Sequence, residues 1–331
     1  MSSNTTNVLL LDDFKEERIQ QLTELLDPRI KILTDQQTTA AHILIGGHVL
    51  TEEALSQNQD LKAAIIPWAG IPDRYYNLLS RPEFSHIIPH NCHYHSGFVA
   101  EYAFSMMLAL AKDLGRKERS LRQGDWHPRY RPSRAMIMAN KTVLIMGYGA
   151  IGQEIGRLCR ALGMQVLATR RKITEPEHGE NETVYPANEL QTLLPTCDVL
   201  INALPLTPDT EGLIGAEEIA QLKSTALIIN IGRAKTFDEA ALYEALVSDQ
   251  ILGAAFDVWY RYPENKLARA ATFPSAYPFH QLENMLLSPH NSAALLDNEH
   301  LDYQIQSLAE MLNSYAATGV LPNRVDLDQG Y

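Results

Sequence analysis

Three glycines, Gly147, Gly149 and Gly152, stand between an apolar run (KTVLIM) and a segment with helical apolar spacing (QEIGRLCRALG). At such a strand-to-helix turn the first glycine allows the tight turn, and the second lets a pyrophosphate approach the backbone. The third permits close packing of helix on strand, and the helix N-terminus faces the anion. The pattern predicts a dinucleotide-binding lobe with Ala150 and Ile151 also in the cofactor site; the alternative is an ordinary βα turn.

A basic cluster, Arg170, Arg171 and Lys172, ends the next apolar run (MQVLAT). Arg170 lies 23 residues after the first glycine, where NAD-binding proteins place a carboxylate that accepts from the ribose 2′-OH. Here no carboxylate follows until Glu175. A cation cannot accept from a hydroxyl but binds a 2′-phosphate, so the cluster predicts NADP(H) as the cofactor, with NAD as the alternative. A solvated basic turn without function is the competing interpretation.

Short apolar runs alternate with helical patterns along most of the chain, which predicts an α/β architecture with parallel sheets. In the first hundred residues, strands are expected at 7–11, 30–34, 42–46, 62–67 and 86–89. Later strands are expected in KTVLIMG, MQVLAT, DVLINAL, TALIINI, ILGAAF and NMLLS. The tail, residues 300–319, has an amphipathic helical pattern.

The segment 98–123 is predicted to form one long helix, apolar nearly all round in its first half and charged in its second. An apolar half-helix of this length needs a partner surface beyond its own sheet. Because two-fold pairing is the commonest solution, the pattern predicts a homodimer built on this helix.

Composition excludes several classes of protein. The net charge of −12 argues against a nucleic acid or an anionic membrane as partner, since both favour a basic face. No apolar stretch approaches the roughly 20 residues that cross a bilayer, and the N-terminus lacks the basic region of a signal peptide. The cysteines Cys92, Cys159 and Cys197 are too scattered for a metal site, and no zinc pattern completes His93 and His95. We expect a cytoplasmic protein without a metal.

Four further stretches fall in order: NALPLTPDTEGLI (202–214), LIINIGRAKTFDEAALYEAL (227–246), GAAFDVW (253–259) and LLSPHNSA (286–293). With the glycine triplet they resemble the D-isomer-specific 2-hydroxyacid dehydrogenase family, in particular its NADP-preferring glyoxylate and hydroxypyruvate reductases, across nearly the whole chain. The resemblance implies two α/β lobes with a cleft between them. A flavodoxin-like substrate lobe would comprise residues 1–97 and 300–331, and a Rossmann lobe with a doubly wound parallel sheet would comprise residues 98–299.

The resemblance also implies roles for individual residues. Arg233 of INIGRA is similar to the family's substrate-binding arginine, and His290 of SPHN is similar to its acid–base histidine. The turn PWAGIP, with Trp68, Ala69 and Gly70, resembles the family's loop that binds the substrate carboxylate. Further cofactor contacts are implied for Leu204, Pro205, Thr210, Ile231 and Asp257, the last on the nicotinamide side.

The chemistry of hydride addition to a 2-keto acid suits these residue types. An arginine offers a fixed bidentate fork to a carboxylate, and a histidine has an unperturbed pKa that suits proton transfer near neutral pH. Arg233 follows an apolar strand, at the end where open α/β sheets bind ligands. The sequence therefore predicts NADP(H)-dependent interconversion of a small 2-keto acid and a D-2-hydroxy acid, without naming the substrate.

Two other functions stay open at this point. A non-catalytic dinucleotide-sensing protein, similar to C-terminal-binding corepressors, could keep both Arg233 and His290. An oxidoreductase for a small anion such as phosphite or formate would use the same scaffold with an altered histidine partner.

One position departs from the family pattern. The family places a glutamate five residues after the aspartate of the DV strand, hydrogen-bonded to the catalytic histidine. Here that position is Tyr262, and the nearest carboxylate is Glu264. We expect His290 to lack a carboxylate partner, unless a shifted loop brings Glu264 into the place.

Overall fold

The structure, a computed structural model, describes residues 5–12, 14–47, 49–295 and 299–327, with only the backbone of Asp73. The chain divides into two compact units. Unit 1 comprises Met1–His95 and Leu295–Tyr331, and unit 2 comprises Ser96–Ala294. The assignment of unit 1 to the substrate and unit 2 to the cofactor stays a prediction at this point.

The strands and helices of the described residues are numbered in chain order. The strands are β1 (Thr6–Leu10), β2 (Ile30–Leu33), β3 (Ile43–Ile45), β4 (Ala63–Ile66), β5 (Ile88–Asn91), β6 (Thr142–Met146), β7 (Gln165–Arg170), β8 (Glu177–Gly179), β9 (Glu182–Pro186), β10 (Val199–Asn202), β11 (Leu227–Asn230), β12 (Gly253–Phe256) and β13 (Met285–Leu287). The α-helices are α1 (Glu16–Leu25), α2 (Glu52–Ser56), α3 (Asp73–Leu79), α4 (Ser96–Ala111), α5 (Leu114–Arg122), α6 (His127–Tyr130), α7 (Ala150–Ala161), α8 (Leu190–Leu193), α9 (Ala216–Gln221), α10 (Glu239–Val247) and α11 (Glu299–Thr318).

Unit 1 is built on a parallel sheet in the order β2-β1-β3-β4-β5. This 2-1-3-4-5 order is that of flavodoxin-like folds, as predicted. Because side chains alternate across a strand, β1 buries both of its faces. Val8 faces a cluster that includes Leu308 of α11, whereas Leu9 faces a cluster that includes Leu55 of α2. The C-terminal helix is therefore part of the core of unit 1.

Unit 2 is built on an eight-stranded sheet in the order β13-β12-β11-β10-β6-β7-β9-β8. Counted from β6 and omitting the edge strand β8, the order includes the 3-2-1-4-5-6 arrangement of a Rossmann fold. All neighbouring pairs are parallel except β8 and β9, which are antiparallel. The predicted Rossmann sheet is thus confirmed, and its crossovers place helices on both faces.

The central strand β6 is buried on both faces, which explains why the sequences of these strands are continuous apolar runs. Val143 and Ile145 pack in one cluster with residues of α4 and α7, such as Met107 and Ile155. Leu144 packs on the opposite face, in a cluster that includes residues of α9 and α10. A strand buried on both faces needs apolar side chains at every position, which is typical of parallel sheets.

The prediction of one long helix over 98–123 is wrong. The helix α4 ends at Ala111, and α5 begins at Leu114. Between them Asp113 adopts a left-handed backbone with φ of +54°, a conformation that aspartate tolerates better than most residues. The Asp113 carboxylate also accepts from Arg116 Nε at 2.8 Å, which holds the break in place. The sequence did not reveal the break, because the residues on both sides of Asp113 favour helix and only its own backbone departs from the helical conformation.

The glycine-rich turn makes a prediction about stability. A Cβ at Gly152 would lie 2.1 Å from the carbonyl oxygen of Gly147, so Gly152→Ala must push α7 away from β6. We expect a loss of about 1–3 kcal/mol in the free energy of unfolding, measured by urea denaturation. Gly97→Ala is the matched control, because nothing lies within 4 Å of that Cβ position. An unchanged stability for Gly152→Ala would contradict the close packing of helix on strand.

Candidate functional site

The glycine-rich turn links β6 to α7. Gly147 has a φ of +91°, and its N–H and that of Tyr148 both donate to the carbonyl oxygen of Thr169 at the end of β7, at 3.2 and 3.1 Å. Gly149 is the N-cap of α7, so Ala150 and Ile151 begin the helix. The turn therefore directs the unpaired N–H groups of the first helical turn outward.

The backbone of the turn is open to solvent at Gly149. A Cβ built on Gly149 would meet no atom within 4 Å, so the backbone there faces open space at the N-terminus of a twelve-residue helix. Aligned peptide dipoles give such an end a partial positive charge, and its N–H groups are donors for phosphate oxygens. The predicted residues of the glycine-rich turn thus form a cradle that an anion can enter.

The basic cluster lies at the carboxyl end of β7. Arg170 pairs with Glu177 of β8 at 2.5 Å, and Arg171 and Lys172 are exposed. Beside the pair is a cleft of about 210 Å³. The cleft is lined by Tyr148, Gln153, Arg160, Arg170, Glu177, Glu182 and Val184. The sequence did not indicate Glu177, because the hairpin of β8 and β9 is not part of the predicted alternation.

A buried polar network joins the carboxyl ends of β10 and β11. Asn202 Nδ2 donates to Asn230 Oδ1 at 2.9 Å and to Thr236 Oγ1 at 2.7 Å. Asn230 Nδ2 and Thr236 Oγ1 donate in turn to the carbonyl oxygen of Arg233, at 3.1 and 2.7 Å. Because the three side chains are fully buried, this network fixes the loop that carries Arg233. Sequence reasoning missed it, although an asparagine at the end of each of two buried strands was a visible signal.

The loop after β10 contains three of the predicted cofactor residues. The N–H of Leu204 donates to Asn202 Oδ1 at 3.1 Å, and Thr210 Oγ1 donates to the carbonyl oxygen of Pro205 at 2.7 Å. Ile231, at the end of β11, is buried. Thr210 therefore shapes the loop, and Leu204 is tied to the asparagine network beside it.

Arg233 itself is exposed at the end of β11. Its Nη1 donates to the carbonyl oxygen of Gly232 at 2.8 Å. A Cβ at Gly232 would lie 2.5 Å from the carbonyl oxygen of Leu204, so the two loops touch through backbone. The guanidinium has five N–H donors and therefore keeps donors for a ligand.

The loop that carries His290 is held by Asp257. This aspartate follows β12 directly and is fully buried. Its carboxylate accepts from the N–H groups of Asn291 and Ser292, at 2.8 and 2.9 Å, and from Ser288 Oγ. His290 adopts a left-handed backbone with φ of +59° between these anchored residues. Whether Asp257 also contacts a nicotinamide, as the resemblance implies, stays a prediction.

Tyr262 is the hydrogen-bond partner of His290. Its Oη lies 2.9 Å from His290 Nδ1 and accepts from the N–H of Trp259 at 3.1 Å. Since the hydroxyl already accepts from Trp259, its own proton can be donated to Nδ1 of a neutral imidazole. Glu264 is exposed and makes no hydrogen bond to His290. The expectation that His290 lacks a carboxylate partner therefore agrees with the geometry.

The electrostatics follow from these contacts. His290 has an exposed surface, but the protein around its ring lowers its pKa from the ordinary 6.5, mainly by desolvation. Arg233 lowers that pKa further, and Asp257 opposes the shift. Desolvation also raises the pKa of Tyr262, so the phenol is neutral at neutral pH. Arg233 and His290 thus lie close enough to influence each other.

The remaining predicted residues lie in unit 1. The carbonyl oxygens of Pro67, Trp68 and Ala69 accept from Gln304, Cys92 and Asn91, which fixes the turn that includes Gly70. Burial lowers the pKa of His95 in the same unit to about 4. Within the described ranges, no group of three or more His, Cys, Asp or Glu side chains is arranged to hold a metal ion.

Comparison with known proteins places the chain in a family. The model of the NAD binding domain of the D-isomer specific 2-hydroxyacid dehydrogenases matches residues 104–292, more than half of the chain. The chain belongs to this family. Similar proteins include the glyoxylate reductase of Korarchaeum cryptofilum, which is 31% identical over 69% of this chain and 65% of its own length. The glycerate dehydrogenase of Methylorubrum extorquens is 32% identical over 66% of this chain and 65% of its own. The chain thus spans less than two thirds of these curated relatives.

Solved structures of the family share the fold. The NADPH-dependent glyoxylate/hydroxypyruvate reductase of Sinorhizobium meliloti, in complex with NADP and sulfate, has a TM-score of 0.74 at 22% identity and covers 99% of this chain and 100% of its own. A D-isomer specific 2-hydroxyacid dehydrogenase of Xanthobacter autotrophicus, in complex with NADPH, has a TM-score of 0.76 at 22% identity with the same coverage. None of the helices in the described part of the chain has both the length and the apolar character needed to cross a bilayer.

The open cradle at Gly149 makes a prediction about binding. Gly149→Ala places a methyl group in the space in front of α7 without a clash, so the free energy of unfolding should stay within about 0.5 kcal/mol of the wild type. Because the methyl group occupies the approach of a pyrophosphate, we expect dinucleotide affinity to fall at least about tenfold, measured by quenching of tryptophan fluorescence. Unchanged affinity for NADPH and NADH would contradict the cradle.

Proposed function

We propose that this chain is an NADP(H)-dependent oxidoreductase that reduces a small 2-keto acid to a D-2-hydroxy acid, and catalyses the reverse reaction. One observation carries the proposal: Arg233 and His290 follow the parallel strands β11 and β13 of the sheet that also carries the glycine-rich turn. Ligands of open α/β sheets bind at the carboxyl ends of the strands. A cation and a proton carrier would therefore both lie on the side of the sheet where a dinucleotide binds.

The substrate class is supported by names and by charge. Relatives at 31–32% identity are a glyoxylate reductase and a glycerate dehydrogenase. Glyoxylate and hydroxypyruvate are small anions with a ketone or aldehyde next to a carboxylate, which suits the exposed guanidinium of Arg233. We propose these two acids as the first substrates to test.

The cofactor proposal rests on the tip of β7. Arg170 supplies the cation that would contact the 2′-phosphate of NADP(H), and Arg171 and Lys172 add charge beside it. Two structural relatives were solved with NADP or NADPH. We therefore propose NADP(H) as the preferred cofactor and NAD(H) as the weaker one.

The residues would divide the chemistry as follows. A bound reduced nicotinamide supplies the hydride. Arg233 binds the substrate carboxylate and stabilises the charge that develops on the reacting carbonyl oxygen. His290, held through Nδ1 by Tyr262, would give the proton on Nε2 to that oxygen. Asp257 keeps the His290 loop in place through its three hydrogen bonds.

Turnover and binding together test this proposal. The wild-type chain should oxidise NADPH with glyoxylate or hydroxypyruvate, followed by the loss of nicotinamide absorbance. Arg233→Gln and His290→Asn should each lower kcat/KM by about 10²–10⁴-fold, because each removes a group that contacts the reacting substrate. NADPH affinity should change little, since neither residue lies at the adenosine end. A wild-type chain that binds NADPH but reduces none of a panel of 2-keto acids would favour the dinucleotide-sensing alternative.

The pH dependence tests the role of Tyr262. Reduction needs protonated His290, so kcat/KM should fall as the pH rises through the pKa of that residue. Because desolvation and Arg233 hold this pKa below 6.5, the fall should be under way before neutral pH. Tyr262→Glu would place a carboxylate beside Nδ1 and should move the falling limb upward by about one pH unit or more.

Glu264→Gln is the matched control, because it removes a carboxylate from the same exposed segment. Its pH profile should coincide with that of the wild type. A downward move of the limb by a unit in Glu264→Gln would instead identify Glu264 as the partner of His290 in solution.

We also propose a homodimer, built on the segment 98–123, which forms α4 and α5, and on the residues that follow it. Some apolar residues of α4, such as Met107 and Ala111, are buried in the core of unit 2, whereas others, such as Leu108 and Leu110, are only partly buried. Further apolar surface available for pairing lies on α5 and the segment after it. There Leu114, Leu121 and Trp126 are each at least half exposed.

Light scattering at micromolar concentration should give a mass of twice the 37.1 kDa chain. Leu114→Glu combined with Leu121→Glu should give the mass of one chain, because two carboxylates would be buried in the pairing surface. Leu267→Glu, which changes a leucine that is 91% exposed elsewhere in unit 2, should leave the dimer intact. A single-chain mass for the wild type would contradict the proposal.

A further inference from the structure

The cation that would recognise the 2′-phosphate is already paired in the structure. Arg170 Nη2 contacts Glu177 Oε2 at 2.5 Å. Arg170 ends β7, and Glu177 begins β8, the antiparallel edge strand of the same sheet. Both side chains keep part of their surface in solvent, with 35% and 54% exposed. A group that binds to this guanidinium therefore lies within reach of the Glu177 carboxylate.

The other carboxylate in the same cleft is engaged elsewhere. Glu182 accepts from the hydroxyl of Tyr148 and pairs with Arg160 of α7. Those contacts tie β9 to the glycine-rich turn and to the helix. Glu177 is the carboxylate that contacts the end of β7, where the ribose of a dinucleotide lies in this fold.

The two forms of the cofactor place opposite demands on this position. The 2′-phosphate of NADP(H) is an anion that is attracted by Arg170 and repelled by a neighbouring carboxylate. The 2′-OH of NAD(H) is a donor that a carboxylate accepts, which is the task of the acidic residue at the end of the second strand in NAD-binding proteins. Position 170 is an arginine here, but the carboxylate of Glu177, in the hairpin of β8 and β9, lies in contact with its side chain.

We propose that Glu177 is a specificity-determining residue of the cofactor site. This inference rests on the proposed function, which assigns a dinucleotide to that site. The carboxylate of Glu177 accepts from the ribose 2′-OH of NAD(H) and, by neutralising part of the charge of Arg170, limits the preference for NADP(H). Arg170 has five N–H donors, so it contacts Glu177 and a phosphate at the same time. The Arg170–Glu177 pair thus makes the site able to use both cofactors, with the balance set by one carboxylate on the hairpin.

The expected change in cofactor affinity is modest, because the Arg170–Glu177 pair is partly exposed to solvent. Ion pairs in solvent contribute up to about 1 kcal/mol, which corresponds to about fivefold in an equilibrium constant. Removal of the Glu177 charge should therefore tighten NADP(H) binding by about three- to fivefold and weaken NAD(H) binding by a similar factor. Selectivity, the ratio of the two dissociation constants, should therefore change by about 10- to 25-fold.

Binding without substrate tests the inference directly. Dissociation constants for NADPH and NADH are measured by nicotinamide fluorescence on the full chain for the wild type, Glu177→Gln and Glu180→Gln. Glu180 is the matched control, because it is an exposed carboxylate in the turn of the same hairpin and forms no ion pair with Arg170. Displacement of NADPH by 2′,5′-ADP and by AMP, which differ only in the 2′-phosphate, confines the readout to the ribose.

Glu177→Gln should raise the affinity for 2′,5′-ADP and lower that for AMP, whereas Glu180→Gln should leave both within twofold of the wild type. In a chain that already carries Arg170→Gln, the substitution Glu177→Gln should have little further effect. The single variant Arg170→Gln and the double variant should therefore bind 2′,5′-ADP with similar affinity. Equal shifts in Glu177→Gln and Glu180→Gln would overturn the inference, because a general charge effect would then explain them.

Failure of this inference and failure of the proposed function would give different results. A chain that binds both cofactors with the expected shifts but reduces no 2-keto acid would contradict the proposed activity and leave Glu177 as the determinant. A chain that reduces keto acids with unchanged selectivity in Glu177→Gln would do the reverse. A chain that binds neither cofactor overturns both.

Discussion

The parallel hydrogen-bond ladder of the unit 2 sheet is the constraint on which the site depends. Strands such as β6, β10 and β11 are buried on both faces, so their side chains are apolar along their length. Polar groups can enter only where each strand ends. The glycine-rich turn, the two asparagines, Arg233, Asp257 and His290 all stand at or just after a carboxyl end. Because the strands are parallel and in register, those ends meet at one edge.

Buried polar side chains convert this edge into a defined geometry. The side chains of Asn202, Asn230 and Thr236 form a hydrogen-bond network that donates to the carbonyl oxygen of Arg233. The carboxylate of Asp257 accepts from backbone N–H groups of the His290 loop. In a medium of low dielectric, each unsatisfied group would cost about 1–3 kcal/mol, so the loops are held in the one arrangement that satisfies them. Rigid loops are what a site needs if an arginine and a histidine are to act on one small substrate.

Tyr262 shows how one substitution changes the electrostatics of such a site while its geometry is kept. The phenol takes up the hydrogen-bonding position next to Nδ1 of His290 but carries no charge. Desolvation of the imidazole then has no neighbouring anion on Nδ1 to oppose it, and the more distant Asp257 compensates only in part. At the end of β7, Arg170 and Glu177 show the opposite case, in which a cation and an anion lie in direct contact.

The sequence by itself determined the architecture, since apolar runs of strand length, a glycine triplet and ordered motifs report local geometry and burial. It also predicted roles for Arg233 and His290 and revealed a tyrosine, Tyr262, at the position where the family pattern has a glutamate. Only the tertiary structure decided that Tyr262 contacts His290, that Asn202 and Asn230 form one network, and that Glu177 pairs with Arg170. Each of these contacts joins residues from different loops or strands. A pattern along the chain does not give the distance in space between two such residues. The break at Asp113 was hidden for a related reason, because a single left-handed residue changes the direction of the backbone without changing its periodicity.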